Sequence, residues 1–504
     1  MLGATNGRPP HPLSDAGEAQ ALVAGLPADA LQALAVVTGW LGAVEADRGL
    51  GLARKLEIVD LIGRIALERL RRIEAGYLAG RASPDEQAAI GAAVPSYAAA
   101  LAAAWLHVIR QFQVYFPGWG EIRDRIPLAT VRAMRALSLR LKWQLLRYAP
   151  VDAEIWLGLC QLWAFAEDRG FAGSRVRVEG EEESTAQSEF LQPMMLAVSS
   201  AESLPPAKLD IAARLIAHLS DRFVIQRYPA KSCHFSVDID AVRPPARFVG
   251  GMQMRPGMRF FGAGGAEPEL ETLAAAIASE GAIPNSAHLD GVSDVEAVID
   301  VLGHLGRYWQ VRRQGRTEER RRSASQIAIV HGFEAIVAML STEGAPDGEA
   351  GGGDLWTIEN ESESGYGAIV PPGKGEWAKV GTLLGVKAAG SKLWAAGIVR
   401  RIAVKSEDYR YIGIQLLARG AKLVTFRPAG SGGPPQIAVL LPSHLSDSLS
   451  HGEMSLLLRG GSFSPQVEIE MHAFGHTYLL EPRMMAEGGQ EFDLAYYRVL
   501  QRAG

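Results

Sequence analysis

Two stretches of this sequence hold residue types suited to recognising a charged ligand. The first is an arginine run from Arg312 to Arg322, which places six arginines in eleven residues. The second is Asn360-Glu361-Ser362-Glu363-Ser364-Gly365. A guanidinium is a planar fork that pairs bidentately with phosphate and lies flat on aromatic rings, so a run of arginines is chemistry for an anion. Asn and Ser can hold a turn with short polar side chains, and Gly permits positive φ or a close approach. Taken singly, the run reads as an exposed interdomain linker and the hexapeptide as an ordinary hairpin turn. Their order along the chain, and the strands around them, join them into one candidate site.

Those strands come from β patterning that dominates after Gln326. The expected segments are 326–333, 355–359, 368–370, 382–387, 393–404 and 411–417. Residues 343–353, rich in Gly and acid, form the expected loop between the first two. Short strands at this spacing with Gly turns predict a small barrel. A further β-rich module at 421–504 offers strands at 436–441, 454–458, 467–472, 476–480 and 492–500.

From about Arg312 to Leu417 the sequence resembles the PilZ domain family, cytoplasmic bacterial receptors for cyclic di-GMP built on a six-stranded β-barrel. The family pattern is Arg-x-x-x-Arg before the first strand and Asp/Asn-x-Ser-x-x-Gly at the end of the second. Asn360, Ser362 and Gly365 match the second motif, and 394–401 and 411–417 are similar to the family's last two strands. For the first motif, Arg316 with Arg320 and Arg312 with Arg316 both fit. Placed immediately ahead of a strand starting near 326, the pair is instead Arg322 and Gln326.

The resemblance implies a cyclic di-GMP site formed by Arg316, Arg320, Arg321, Arg322, Asn360, Ser362 and Gly365. Arginine forks there would hold phosphates or the guanine O6/N7 edge, and ligand would order the arginine segment against the barrel. By strand alternation Glu361 and Glu363 share a side and are expected to face solvent.

The elements that must carry this site follow from the rest of the chain. At 504 residues it exceeds one core and divides into several domains. The expected organisation is multidomain α+β: an α-helical bundle at 1–178, a mixed and mainly helical domain at 189–310, the barrel with its arginine linker at 311–420, and the β-rich module at 421–504. Residues 54–70 put Leu56, Val59, Ile62, Ala66 and Leu70 on one helical stripe. Residues 131–148 carry a basic outer face of Arg132, Arg135, Arg140, Lys142 and Arg147, expected to be solvated. Residues 90–109 form an uncharged stretch with Pro95, Ser96 and His107, which suits a buried helix rather than a membrane span.

Composition narrows the function classes. Hydrophobic residues are 48% and charged residues 21%, ordinary for a soluble globular protein, and the net charge of −5 gives no whole-molecule attraction for polyanions. Nucleic acid and membrane insertion are therefore not expected as partners. Cys160 and Cys233 lack metal or disulfide spacing and read as reduced core residues. His304, His331, His472 and His476 have no carboxylate at ligand spacing, and Asp238 with Asp240 is explained by strand alternation. No cofactor, metal or catalytic residue is assigned. The expected function is a cytoplasmic cyclic di-GMP receptor acting on a protein partner through its helical half, and not an enzyme. The alternatives are a scaffold with a barrel that binds no nucleotide, or an enzyme seated at 233–265.

Overall fold

The structure, a computed structural model, describes residues 11–47, 49–80, 82–114, 119–179, 182–310, 321–341, 353–371, 374–375, 377–391, 393–406, 409–442, 452–488 and 491–503. It divides into two compact units: residues 1–201 with 206–313, and residues 314–504 with the short segment 202–205. The α+β multidomain architecture expected from sequence is the one observed, a helical half followed by β-barrels.

The first unit opens with α1 (Ala16–Ala24), α2 (Ala30–Ala46), α3 (Leu52–Leu78), α4 (Pro84–Val114), α5 (Trp119–Ile122), α6 (Ile126–Leu146) and α7 (Ala153–Asp168). In α3 the stripe of Leu56, Val59, Ile62 and Ala66 is buried, as its 3.6-residue period requires, while Leu70 is only half-buried. Among the described residues α4 alone has the length and apolarity of a membrane span. It packs against α2, α3 and α6, and Val94, Tyr97, Ala98, Trp105 and Val108 on it are buried. That is the surface of a bundle helix.

The basic face of α6 differs from expectation. It is not a solvated surface but the charged seam of the unit, because neighbouring elements bring acids to it. Arg135 holds Glu182 at 2.5 Å and Glu189 at 2.8 Å, Arg140 holds Asp152 at 2.5 Å, and Arg132 pairs with Asp60. Lys142 pairs with Glu74 and Asp210, and Arg147 donates to the Gly91 carbonyl at 2.6 Å. Partnered charges of this kind are compatible with burial where lone ones are not.

The unit continues through β1 (Val176–Glu179), β2 (Glu182–Ser184), α8 (Ala186–Val198) and α9 (Pro206–His218). It ends in a sheet of β3 (Val224–Gln226), β4 (Phe235–Asp238), β5 (Ala246–Arg247) and β6 (Met258–Gly262), ordered β3-β6-β4-β5, with α10 (Ala266–Glu280) and α11 (Val295–Trp309) following it.

The second unit holds two barrels. The first comprises β8 (Gln326–His331), β9 (Asp354–Ser362), β10 (Gly365–Val370), β11 (Leu383–Ala388), β12 (Ala395–Ser406) and β13 (Tyr409–Arg419), preceded by a short β7 (Arg321–Arg322). Antiparallel pairing closes the ring β8-β9-β10-β13-β12-β11 back onto β8, and β7 pairs with the far end of β9. One cross-strand row, Ile358, Ala368, Ile412 and Ile402, is buried and lines the interior.

The second barrel is β14 (Lys422–Pro428), β15 (Gln436–Leu441), β16 (Glu453–Arg459), β17 (Ile469–Ala473), β18 (His476–Gly488) and β19 (Phe492–Ala503). Its ring runs β14-β15-β16-β19-β18-β17. Counted from each barrel's own first strand, both rings follow the order 1-2-3-6-5-4. The C-terminal module is therefore a second barrel of the same topology, which its sequence did not disclose.

Between the first two strands of barrel one lies α12 (Phe333–Ser341), where a continuing strand was expected at Phe333. Gly332, at φ +83°, turns the chain out of β8 into this helix. Phe333, Ile336, Val337 and Leu340 of α12 share one core with Leu383, Ile398 and Ala418 of the first barrel and Val439, Leu457 and Leu494 of the second. The barrels are thus joined through outer faces that each would otherwise expose to water.

Leu457 is fully buried at this junction. Leu457→Ala is expected to destabilise the β unit by about 2–5 kcal/mol, read as a lower urea midpoint for its unfolding, because the rigid surroundings cannot close the cavity.

Candidate functional site

Of the residues singled out by sequence, Arg316 and Arg320 lie outside the described residues. Arg321 and Arg322 form β7, Asn360 and Ser362 end β9, and Gly365 begins β10. The structure brings the last four together. Arg322 stands directly across from Asn360 and Arg321 from Glu361. Among the described residues strand pairing is already present at Arg321, five residues ahead of the expected start at Gln326. In sequence, Arg316 and Arg320 then stand immediately before the first paired residue.

The orientation of Asn360 depends on a bulge. In β9, Ile358 pairs with Ala368 and Asn360 with Gly367, so Glu359 is an extra residue without a partner position on β10. Before the bulge the even-numbered Trp356 and Ile358 are buried; after it the even-numbered residues change face. Asn360 and Ser362 therefore lie on the outer face, with Gly367 and Gly365 as their partners. Glu361 lies on the opposite face across from the buried Tyr366, half-buried itself, so it is not on the Asn360 face, though it does not project fully into solvent as expected. Glu363 is exposed in the turn.

The hairpin tip is held by β13. Leu416 donates its amide to the Ser364 carbonyl at 2.8 Å, and Arg419 donates to the Glu363 carbonyl and the Tyr366 hydroxyl at 3.4 and 3.2 Å. Ser362 donates to the Gly365 carbonyl at 3.4 Å, the turn-holding role its type suggested. Asn360 plays a further part: its amide donates to the Tyr411 hydroxyl at 3.0 Å. Gly365 differs from one of its expected uses. It has no positive φ; a Cβ there would sit 2.2 Å from the Ile414 carbonyl oxygen, so its bareness lets β10 reach β13.

Cross-strand pairing lays one row over the outer face: Arg322, Asn360, Gly367, Gly413 and Arg401. Two glycines sit in its centre, both buried, and the Tyr411 side chain from β13 lies over Gly367 to reach Asn360. Arg401, exposed at the far end, stands 3.0 Å from Glu202 in the segment 202–205. Arg400 donates to Gln415 at 2.7 Å nearby. Sequence reasoning missed Gly367, Arg401 and Tyr411. The available signal was Gly413 inside the predicted strand 411–417, since glycine in a strand marks close approach of another group. The row presents two guanidinium groups and an amide, with the Tyr411 ring laid over the strand between them. That is chemistry for a ligand combining anionic groups with flat, edge-polar rings.

At the rival location 233–265 a cavity is lined by Ser236, Asp238, Arg243, Gln253 and Arg255. Asp238 on β4 is buried and lies 3.4 Å from Arg243 and 3.5 Å from Arg255. Both thiols are buried, and burial pushes Cys160 up to about 12 and raises Cys233. A thiol held protonated is a poor nucleophile. His472 bonds Thr477 at 2.9 Å. Among the described residues no cluster of three or more His, Cys, Asp or Glu could hold a metal ion.

Gly365→Ala should force β10 away from the Ile414 carbonyl and destabilise the barrel by about 1–3 kcal/mol, whereas Ser362→Ala should lose no more than about 1 kcal/mol. Thermal melts of both variants check the difference.

Comparison with known proteins places a family on the other half of the chain. Residues 17–230 match the family described as "Cyclic-di-GMP receptor FimW, N-terminal domain". The match runs from α1 to just beyond β3 and does not touch either barrel. No match was found among curated proteins or among solved structures. Residues 17–230 of the helical unit are thus similar to the N-terminal domain of that receptor family.

Proposed function

We propose that this chain is a receptor for cyclic di-GMP, with the ligand held on the outer face of a PilZ-like first barrel. The observation that carries the reading is the β7–β9 pairing, which sets Arg322, the last residue of the arginine run, opposite Asn360. The arginine and the Asn-x-Ser-x-x-Gly residues are otherwise separated by more than thirty residues of chain. The match of residues 17–230 to a cyclic-di-GMP receptor family supports the same ligand from an independent part of the sequence.

In this reading Arg322, with Arg316, Arg320 and Arg321 of the preceding segment, grips the two phosphodiesters and guanine edges. Asn360 and Ser362 supply polar contacts from the barrel, and Gly365 keeps the hairpin seated. The arginine segment leads from the helical unit into the barrel, so fastening it to the barrel passes the ligand signal to the helical unit. That unit then acts on a protein partner, in the cytoplasm as in the family resembled. The chain is a receptor here and not a catalyst.

Calorimetric titration of the full chain with cyclic di-GMP tests the ligand. Saturable heat and a raised melting temperature at ligand excess are expected; neither signal at any excess would leave a non-binding scaffold. Arg322→Ala and Asn360→Ala should each weaken binding about 5- to 100-fold, the range for loss of one well-formed polar contact to a base or phosphate.

A further inference from the structure

The geometry points to Tyr411 as the positioning residue of this site, acting through Asn360; the inference rests on the cyclic di-GMP reading above. Tyr411 lies on β13, across from Ile369 of β10, and Asn360 lies one strand beyond on β9. Its ring bridges that strand at Gly367. A Cβ on Gly367 would fall 2.0 Å from the Tyr411 hydroxyl oxygen, 2.8 Å from its Cζ and 2.7 Å from Asn360 Oδ1. A bare residue at 367 is therefore the condition for the contact, and the structure meets it.

The contact sets the plane of an amide. Asn360 Nδ2 donates to Tyr411 Oη at 3.0 Å, and the same hydroxyl lies 3.4 Å from Asn360 Oδ1. A primary amide recognises a base edge only when its donor and acceptor sides are not interchanged, since a 180° flip exchanges them. The Tyr411 hydroxyl can accept from Nδ2 and donate to Oδ1, so it does not select between the two flips; it holds the Asn360 side chain in one place beside Gly367 before any ligand arrives. Pre-setting one position raises affinity by sparing the ordering that binding would otherwise require.

The test uses a property of this sequence: it contains three asparagines, Asn6, Asn285 and Asn360. Selective ¹⁵N-asparagine labelling of the full chain gives three side-chain amide pairs, and Asn360→Ala assigns the one of interest. Tyr411→Phe keeps the ring and removes the hydroxyl. It should shift the Asn360 amide pair and speed its proton exchange with water in the ligand-free protein while leaving the melting temperature nearly unchanged.

Calorimetry with cyclic di-GMP should show Tyr411→Phe binding about fivefold more weakly, as expected for one lost hydrogen bond. The Asn360→Ala, Tyr411→Phe double variant should bind no worse than Asn360→Ala alone, because Tyr411 acts through the amide. Gly367→Ala, which displaces the ring, should reproduce the Tyr411→Phe shift. Wild-type-like affinity of Tyr411→Phe, or losses that multiply in the double variant, would overturn the role of Tyr411 while leaving the receptor reading intact. A wild-type chain that takes up no cyclic di-GMP overturns both.

Discussion

Everything on the candidate face depends on how β9 satisfies three neighbours. It pairs with β8 and β7 along one edge and β10 along the other, and the barrel closes only if β10 also reaches β13. Two local devices make this possible. Gly365 has no Cβ to strike the Ile414 carbonyl, and the extra residue Glu359 bends β9 and reverses its alternation. Without the reversal, Asn360 and Ser362 would follow Trp356 and Ile358 into the apolar interior. Polar side chains there would lie buried without the partners they now have. The same bulge therefore closes the barrel and brings the motif residues to its outer surface, across from Arg322.

The second barrel clarifies the first by contrast. Both rings share one strand order, yet their outer faces have different uses. In barrel one the third and sixth strands carry Gly365, Gly367 and Gly413; Gly365 lets β10 reach β13 and Gly367 lets the Tyr411 side chain lie over β10. The corresponding β16 and β19 carry no glycine in those strands. Leu457 and Leu494 fill that face instead, and it is spent on the core shared with α12 and barrel one. No arginine run precedes its first strand either: Arg419-Gly420-Ala421-Lys422 leads from β13 directly into β14. The topology is thus a scaffold whose function is decided by which side chains the outer strands carry.

The helical unit handles charge in the opposite way from the candidate face. Arg135, Arg140 and Lys142 on α6 are each met by acids from other elements. Such seams fix the packing of helices, and their cations are engaged within the fold. On β7, by contrast, Arg321 and Arg322 are exposed on a strand of two residues. It is there, and not in the more numerous basic residues of α6, that Arg322 is presented beside the Asn360 amide.

The sequence by itself determined the broad plan. Helical periodicity in α3 and α4, strand patterning after residue 326 and the Asn-x-Ser-x-x-Gly spacing are local properties, written in the order of neighbouring side chains. Those signals located a helical half, a six-stranded barrel and the end of its second strand. Other features were beyond local reading because they exist only between distant segments. The acids that neutralise α6 come from α3, the β2–α8 region, α9 and the start of α7. The bulge at Glu359 is defined by its pairing with β10, and Arg322 meets Asn360 only once β7 is laid along β9. Tyr411 comes from a strand fifty-one residues further on and reaches Asn360 because Gly367 lies bare between them. Tertiary structure alone decided these, since cross-strand register sets which faces and which partners coincide.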